Sequence, residues 1–171
     1  MRKRLGFAAV MALLVLLLAP VPAVARPDQR APVTVPALTR WTPESGAYAF
    51  RPGARLVADG PAARRVADTL AGDLRAAGHG TVPVVRGGAR TGDIVVDIRS
   101  SRTSLGAEGY ELHAGSRLSI TGATETGAFH GTRTLLQLLA QDDRIPAGRT
   151  VDVPRYKERG CLLYTSDAAD E

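Results

Sequence analysis

The sequence predicts an α+β domain in which two helices pack on one face of a mostly antiparallel sheet. Two segments, within 61–77 and within 125–141, repeat apolar residues at helical spacing. About six short segments instead alternate apolar and polar residues, as half-buried strands do, and short glycine-containing connections between them are typical of hairpins. Helices of this kind bury their apolar stripes by lying together against one side of a sheet.

Length and composition limit the classes of protein to which the chain can belong. Its 171 residues accommodate one ordinary domain, whereas a complete (β/α)₈ barrel needs roughly 250. The 22 basic residues are scattered rather than clustered, which argues against nucleic-acid binding. A single cysteine excludes an internal disulfide and a Cys-based zinc site, and no dinucleotide-binding, phosphate-loop, nucleophile-elbow or zinc-protease motif is present. We therefore expect no metal and no cofactor.

The segment 1–25 has the pattern of a secretory signal peptide. Positive Arg2–Arg4 precedes an apolar run over Leu5–Ala19, and Ala23–Ala25 forms a small-x-small cleavage site. A transmembrane anchor is the alternative, but the run is shorter than the roughly 20 residues that a span needs. We expect a secreted protein that keeps no stable membrane anchor after cleavage and that begins with a flexible, proline-containing leader over 26–35.

The segment 161–171 resembles the translation of a sequencing-library adapter. It holds the chain's only cysteine, Cys161, and it has no arginine in an otherwise arginine-rich chain. It also interrupts a motif described below. We therefore leave this segment out of the fold prediction, and we expect Cys161 to be neither a nucleophile nor a ligand.

The first helix is bounded by residues that favour helix ends. Asp59 or Gly60 can cap it, Pro61 suits its first turn, and Gly78 ends it. An apolar stripe repeats every four residues and is expected to face the core. The stripe consists of Ala62, Val66, Leu70 and Leu74.

The second helix is predicted within 125–141, with Thr124 or Thr126 as its cap. Gly127 and Gly131 are four residues apart and therefore share one face. Without side chains at these two positions, the helix can approach a sheet closely. Its buried stripe is expected to comprise Ala128, Thr132, Leu135, Leu136 and Leu139.

Strands are predicted where apolar residues alternate with polar ones or form short runs. These segments are 38–41, 47–50, 55–58, 82–85, 93–98, 109–113, 117–121 and 150–153. Because proline and glycine interrupt strands, Pro43–Gly46 is predicted to be a turn and 145–148 a loop. Asp93 and Asp97 lie opposite the apolar side of their strand and are expected to face solvent.

The residues alone predict no catalytic constellation. Asp142 and Asp143 are adjacent carboxylates, whereas a glycosidase pair needs a fixed separation across a sugar, so we interpret them as a solvated helix end. His79, His113 and His130 share no metal-ligand spacing. His79 follows a helix end beside glycines and is expected to be exposed, and His113 lies on the polar side of its strand.

Three aromatic residues near the start of the domain leave two interpretations open. Trp41, Tyr48 and Phe50 could form a surface on which a sugar ring stacks. Aromatic residues so close in sequence more often pack in the core or at the edge of a sheet.

Four blocks in order resemble a known module. They are Gly106–Leu112 (GAEGYEL), Ser119–Ala123 (SITGA), Glu125–Leu139 (ETGAFHGTRTLLQLL) and Asp152–Gly160 (DVPRYKERG). The first three resemble the N-terminal, non-catalytic domain of family 20 glycoside hydrolases, the β-N-acetylhexosaminidases. The fourth resembles the family's D-x-P-R-F-x-x-R-G, which leads into its catalytic barrel. The resemblance covers about 35–160.

The resemblance implies an N-terminal domain over 36–150 and the truncated start of a (β/α)₈ barrel over 151–160. The family removes terminal β-linked N-acetylhexosamine from chitin oligosaccharides or glycans. It retains configuration because the substrate's own acetamido oxygen attacks the anomeric carbon. The family's acid/base Asp-Glu pair lies well inside the barrel, beyond this chain, so no catalytic residue is implied here. Arg159 matches the arginine of the R-G pair, which implies that it binds sugar hydroxyls.

Two other interpretations stay open. The chain could be the accessory domain of another glycoside hydrolase, O-GlcNAcase-like or α-glucuronidase-like, or a freestanding carbohydrate-binding or interaction module. The D-x-P-R-Y-x-x-R-G junction favours the hexosaminidase. On that interpretation the chain alone lacks hydrolase activity, and its N-terminal domain packs against the barrel and stabilises it. An isolated domain is then expected to expose an apolar patch.

Overall fold

A computed structural model describes residues 31–156, which form a seven-stranded sheet and two α-helices. The predicted signal peptide, Arg159 and the predicted adapter segment lie outside the described residues. In chain order the elements are β1 (Trp41–Ala49), β2 (Leu56–Ala58), α1 (Pro61–Ala76), β3 (Val84–Val85), β4 (Ile94–Ile98), β5 (Tyr110–Ala114), β6 (Leu118–Gly122), α2 (Glu125–Leu139) and β7 (Arg144–Asp152). A short 3₁₀ turn, Thr103–Leu105, lies between β4 and β5.

The strand order across the sheet is β1-β7-β5-β6-β4-β2-β3. Strands β1, β7, β5 and β6 pair antiparallel in succession, whereas β6, β4, β2 and β3 pair parallel. The predicted α+β class is confirmed, and the sheet is mixed rather than mostly antiparallel. The parallel half arises because α1 carries the chain back across the sheet, so that β3 runs in the same direction as β2.

Both helices cover the same face of the sheet and share one apolar core with it. Leu56, Ile94, Ile120 and Leu112 project from four neighbouring strands and are completely buried, or nearly so. From α1 the buried residues are Ala63, Val66, Ala67, Leu70 and Leu74. Each fully buried aliphatic side chain contributes roughly 1.5–3 kcal/mol to folding. The helix starts at Pro61 and ends before Gly78, as predicted. Three of the four residues of the predicted stripe are buried, whereas Ala62 is only partly buried and Ala63 lies in the core instead.

Helix α2 lies unusually close to the sheet, as its two glycines predicted. The Thr124 side chain caps the helix by accepting a hydrogen bond from the Gly127 amide at 3.2 Å. A Cβ atom at Gly127 would collide with the carbonyl group of Gly109, and one at Gly131 would lie 2.5 Å from Cγ2 of Ile120. Each of these contacts would be closer than van der Waals contact allows. Any side chain at Gly127 or Gly131 would therefore push the helix away from the sheet.

The predicted turn at Pro43–Gly46 and loop at 145–148 are wrong, because both segments belong to the antiparallel pair of β1 and β7. An irregularity in register between Pro43 and Ala47 lets these residues remain in the strand. Gly148 supports the pairing in another way. A Cβ atom there would lie 2.6 Å from Cε2 of Trp41, so the indole ring occupies the space that a side chain would need.

Asp93 is buried rather than facing solvent, which corrects the expectation from its strand pattern. Arg55 donates to both of its carboxylate oxygens, from Nη2 at 2.5 Å and from Nε at 3.1 Å. The backbone amide of Arg90 donates at 2.7 Å. These hydrogen bonds, that of Arg55 above all, lower the pKa of Asp93 although burial opposes this. Asp97, expected to face solvent, is half-buried and pairs with Arg99 at 2.6 Å.

Substituting Gly131 tests the close approach of α2. Alanine favours a helix over glycine by up to about 1 kcal/mol, but the added methyl group in Gly131→Ala meets Ile120 and the Tyr110 ring. We expect overpacking to dominate and the free energy of unfolding to fall by about 1–3 kcal/mol in urea denaturation. The control is Gly72→Ala in α1, where a Cβ atom meets nothing within 4 Å. That variant should be more stable than the parent; equal effects at both positions would contradict the packing described.

Replacing Asp93 tests the buried ion pair and has a defined pH dependence. We expect Asp93→Asn to lower the melting temperature at pH 7, because it leaves the half-buried Arg55 without its anion. The folded pKa of Asp93 is below the unfolded value of about 3.9, so its contribution is complete above that pH and is lost as the pH falls through the folded pKa. The difference in melting temperature between the two proteins should therefore begin to narrow below about pH 4 and should vanish only below the folded pKa of Asp93. The control is the pair of Asp97 and Arg99, which is more exposed than that of Asp93 and Arg55. Asp97→Asn should therefore cost under about 1 kcal/mol.

Candidate functional site

A groove lies where the chain enters and leaves the described domain. Its volume is about 710 Å³, and it runs between residues 35–39, the outer side of α2 and the segment after β7. Arg159, the residue predicted to bind substrate, lies outside the described residues. The segment Asp152–Tyr156, which begins the motif containing Arg159, lines this groove. The groove therefore contains the described residues that are nearest in sequence to Arg159.

A network of hydroxyl groups, buried at Tyr110 and Thr134, lies along the groove. The Tyr110 hydroxyl lies 2.6 Å from Oγ1 of Thr134 in α2 and donates to Oδ2 of Asp152 at 3.2 Å. Thr39 donates to the other oxygen of Asp152 at 2.5 Å. Burial, together with the neighbouring Asp152 charge, raises the pKa of Tyr110, so its hydroxyl keeps its proton and remains a donor. The network ties the entering and the leaving segments to the same strand and helix.

Two glutamines, Gln137 in α2 and Gln141 just after its end, hold the entering segment. Gln137 donates from Nε2 to the carbonyl oxygen of Val35 at 3.0 Å and accepts from the Val35 amide at 2.8 Å. One turn later, Gln141 donates to the carbonyl oxygen of Val33 at 2.8 Å. The first pair of bonds satisfies both backbone groups of Val35, as a neighbouring strand would. Residues 33–35, within the segment predicted as a flexible leader, are thereby fastened to the helix.

Arg133 joins the groove to the first helix. Its guanidinium lies 4.4 Å above the centre of the Phe129 ring and forms an ion pair with Asp73 of α1. His130 of the same helix contacts the backbone carbonyl of Glu108 through Nδ1 at 3.1 Å. These contacts fix the orientation of α2 relative to its neighbours, and they bring no acid and base together across a cavity.

A second groove, of about 640 Å³, lies on the sheet face that the helices leave open. Several of its charged side chains are held in ion pairs. Glu111 is held between Arg102 and Arg149, and His113 lies 2.9 Å from Glu44. This places His113 on the polar face of its strand, as predicted. A carboxylate fixed between two arginines is an ion pair rather than a proton donor poised beside a sugar.

The aromatic residues near the start of the domain pack rather than forming a flat sugar-stacking surface. Tyr48 is completely buried, Phe50 is largely buried, and the Trp41 ring covers Gly148. His79, predicted to be exposed, is half-buried because its ring meets that of Phe50 edge-on at 5.2 Å. The core-packing interpretation of these aromatics is the one that the structure supports.

The adjacent carboxylates Asp142 and Asp143 lie directly before β7. Asp142 accepts from the Arg144 amide and Asp143 lies 3.6 Å from His79, so the adjacent pair flanks a strand start. Within this range no three His, Cys, Asp or Glu side chains gather as a metal-binding group. The same range contains no helix of the length and apolar character needed to cross a membrane.

The sequence matches a characterised protein family over most of its length. Residues 31–153 match the family model described as glycosyl hydrolase family 20, domain 2. Lacto-N-biosidase of Bifidobacterium bifidum is 38% identical over 135 residues, a match that covers 77% of this chain and 12% of that protein. The expectation drawn from the four sequence blocks is thereby confirmed at the level of the family.

Solved structures share the fold. The family 20 β-N-acetylhexosaminidase of Streptomyces coelicolor A3(2) is 31% identical with a TM-score of 0.62, covering 71% of this chain and 26% of that one. A mutant Streptomyces plicatus β-hexosaminidase, in complex with GlcNAc, is 30% identical with a TM-score of 0.60, covering 78% and 28%. The chain thus spans under a third of these two relatives. It belongs to glycosyl hydrolase family 20, of which residues 31–153 form domain 2.

Proposed function

We propose that the chain is the non-catalytic N-terminal part of a secreted β-N-acetylhexosaminidase. The full-length protein hydrolyses terminal β-linked N-acetylhexosamine, in chitin oligosaccharides or glycans, with retention of configuration and with the substrate's acetamido oxygen as nucleophile. The chain by itself has no hydrolase activity. Its described domain packs against the catalytic barrel and stabilises it.

Membership of family 20 is the observation that carries this proposal. The relatives named as hexosaminidases are matched over about a quarter of their length, and that quarter is the domain described above. The remaining three quarters are where the resemblance implies the acid/base pair. The junction motif D-x-P-R-Y-x-x-R-G supports a barrel that follows at once.

The inactivity of the chain alone is supported by the environment of its carboxylates. A general acid and its partner must flank a scissile bond across an open cavity. Among residues 31–156, Asp93 is buried against Arg55, and Glu111 is held by two arginines. Both side chains are therefore committed to structural ion pairs.

A freestanding carbohydrate-binding module is the weaker alternative. Such a module usually presents aromatic rings to the faces of sugars. Tyr48 and Phe50 are buried in the core, and Trp41 covers a backbone glycine. The groove on the open face of the sheet is lined mainly by charged and small residues, and no Phe, Tyr or Trp side chain lines it.

Assays of the chain and of the full-length protein test the proposal. We expect the 171-residue chain to release no nitrophenol from 4-nitrophenyl N-acetyl-β-glucosaminide, because the acid/base pair lies outside it. The full-length protein encoded by the gene should turn the substrate over, with the 4-nitrophenyl α-anomer as the negative control. A 4-nitrophenyl lacto-N-bioside tests the activity named for the Bifidobacterium relative. Turnover by the chain alone would contradict its inactivity, and an inert full-length protein would overturn the enzyme function.

Substituting Arg159 tests the proposed substrate contact in the full-length protein. A planar guanidinium suits paired sugar hydroxyls, and a charged hydrogen bond contributes about 1.5–3 kcal/mol. We therefore expect Arg159→Ala to lower kcat/KM by about 10- to 100-fold, and Arg159→Lys to restore only part of the loss. Arg75→Ala, at an exposed position in the last turn of α1, is the matched control and should leave kcat/KM unchanged. Equal values for the Arg159 and Arg75 variants would exclude the contact.

A further inference from the structure

The exposed large apolar side chains of residues 31–156 gather on one side of the domain. They are Val33, Val35, Phe129, Val153 and Tyr156. Val35, Val153 and Tyr156 line the groove at the entry and exit of the chain, and Phe129 is covered on one side by Arg133, which lines the same groove. A cluster of this kind on a single side is the usual mark of an interaction surface rather than of chance exposure.

The entering segment has the reverse of the pattern expected for a segment that faces water. Thr34 is buried, with its hydroxyl donating to the Pro36 carbonyl at 2.8 Å, while Val33 and Val35 on either side are 73% and 79% exposed. In an extended segment alternate side chains point to opposite sides, and apolar residues normally take the covered side. Gln137 and Gln141 hold the backbone of this segment in an orientation that leaves both valine side chains largely in solvent.

We propose that Val33 and Val35 form an interdomain strip, which is covered in the full-length protein by the polypeptide that follows Tyr156. This inference rests on the proposed function, because it requires a further domain after the described one. The place where the described chain ends identifies the occupant, since residues 153–156 line the groove that the strip borders. The matched relatives are also several times longer than this domain. The segment 33–35 is therefore a layer between α2 and the following domain rather than a free leader.

Charged substitutions on the strip test this in two proteins. In the full-length protein, Val33→Asp combined with Val35→Asp places two carboxylates in a contact that excludes water, which is unfavourable without partners. We expect limited proteolysis between the domains to become at least about 10-fold faster and the melting temperature to fall. In the 171-residue chain the same side chains already face solvent, so its melting temperature should not change. The matched control is Ser116→Asp, an exposed position lining the groove of the open sheet face.

The outcomes separate this surface from the enzyme function. If proteolysis between the domains is faster in the double aspartate variant but not in Ser116→Asp, the result supports a following domain that covers Val33 and Val35. This holds even if the full-length protein is inactive on hexosaminides. Equal proteolysis rates in the two full-length variants would overturn the proposal. So would an equal loss of stability in the 171-residue chain, which would make the valines part of the domain's own core. A 171-residue chain that sediments as a dimer, and as a monomer once both valines are aspartate, would make a second copy the occupant and would also overturn it.

Discussion

The close approach of α2 to strands β5 and β6 is the constraint on which the rest of the domain depends. Gly127 and Gly131 let the helix axis come so near the sheet that Thr134 reaches the Tyr110 hydroxyl. That hydroxyl in turn bonds to Asp152, where β7 ends and the chain leaves the domain. A helix held further out by side chains at the two glycines would separate these groups and leave a buried phenol without one of its partners, which costs about 1–3 kcal/mol.

The same placement of α2 determines what its outer side can hold. Arg133 and Gln137 lie one turn apart in α2, and Gln141 follows at the same spacing just after the helix ends, so the three side chains form a row that runs to the end of the helix. The last two bind the entering segment 33–35, while Arg133 stacks on an aromatic ring and pairs with α1. The row thus connects the first described residues, both helices and the end of the sheet. The groove at the chain's entry and exit is a consequence of helix packing and not a separate feature.

Periodicity in the sequence predicted the helices, because their buried faces depend on local residue spacing. It failed where the burial or pairing of a residue depends on a partner far away in sequence. The bounds of α1, the cap at Thr124 and the close approach at Gly131 follow from local spacing and residue size. The burial of Asp93 depends on Arg55, which is 38 positions away, so no local pattern could indicate it. The strand over 145–148 depends on an irregular partner strand, and its proline and glycine predicted a loop. For the site, a motif predicts Arg159, which lies outside the described residues. The attachment of residues 33–35 to Gln137 and Gln141 was missed, because a proline-containing segment predicts flexibility.

The open face of the sheet and the α2 side of the domain differ in the free energy needed to cover them with another domain. On the open sheet face, Arg102, Arg149 and Arg99 have about half of their side-chain surface or more in water, although each pairs with a carboxylate. Removing that water would cost several kcal/mol per ion, and the existing pairs would repay only part of it. At the entry and exit groove Val35, Val153 and Tyr156 expose apolar surface, whose removal from water stabilises by about 25 cal/mol per Å². A domain that packs against this one therefore gains free energy on the α2 side and loses it on the sheet side. Val33 and Val35, on either side of the buried Thr34, add exposed apolar surface to the α2 side.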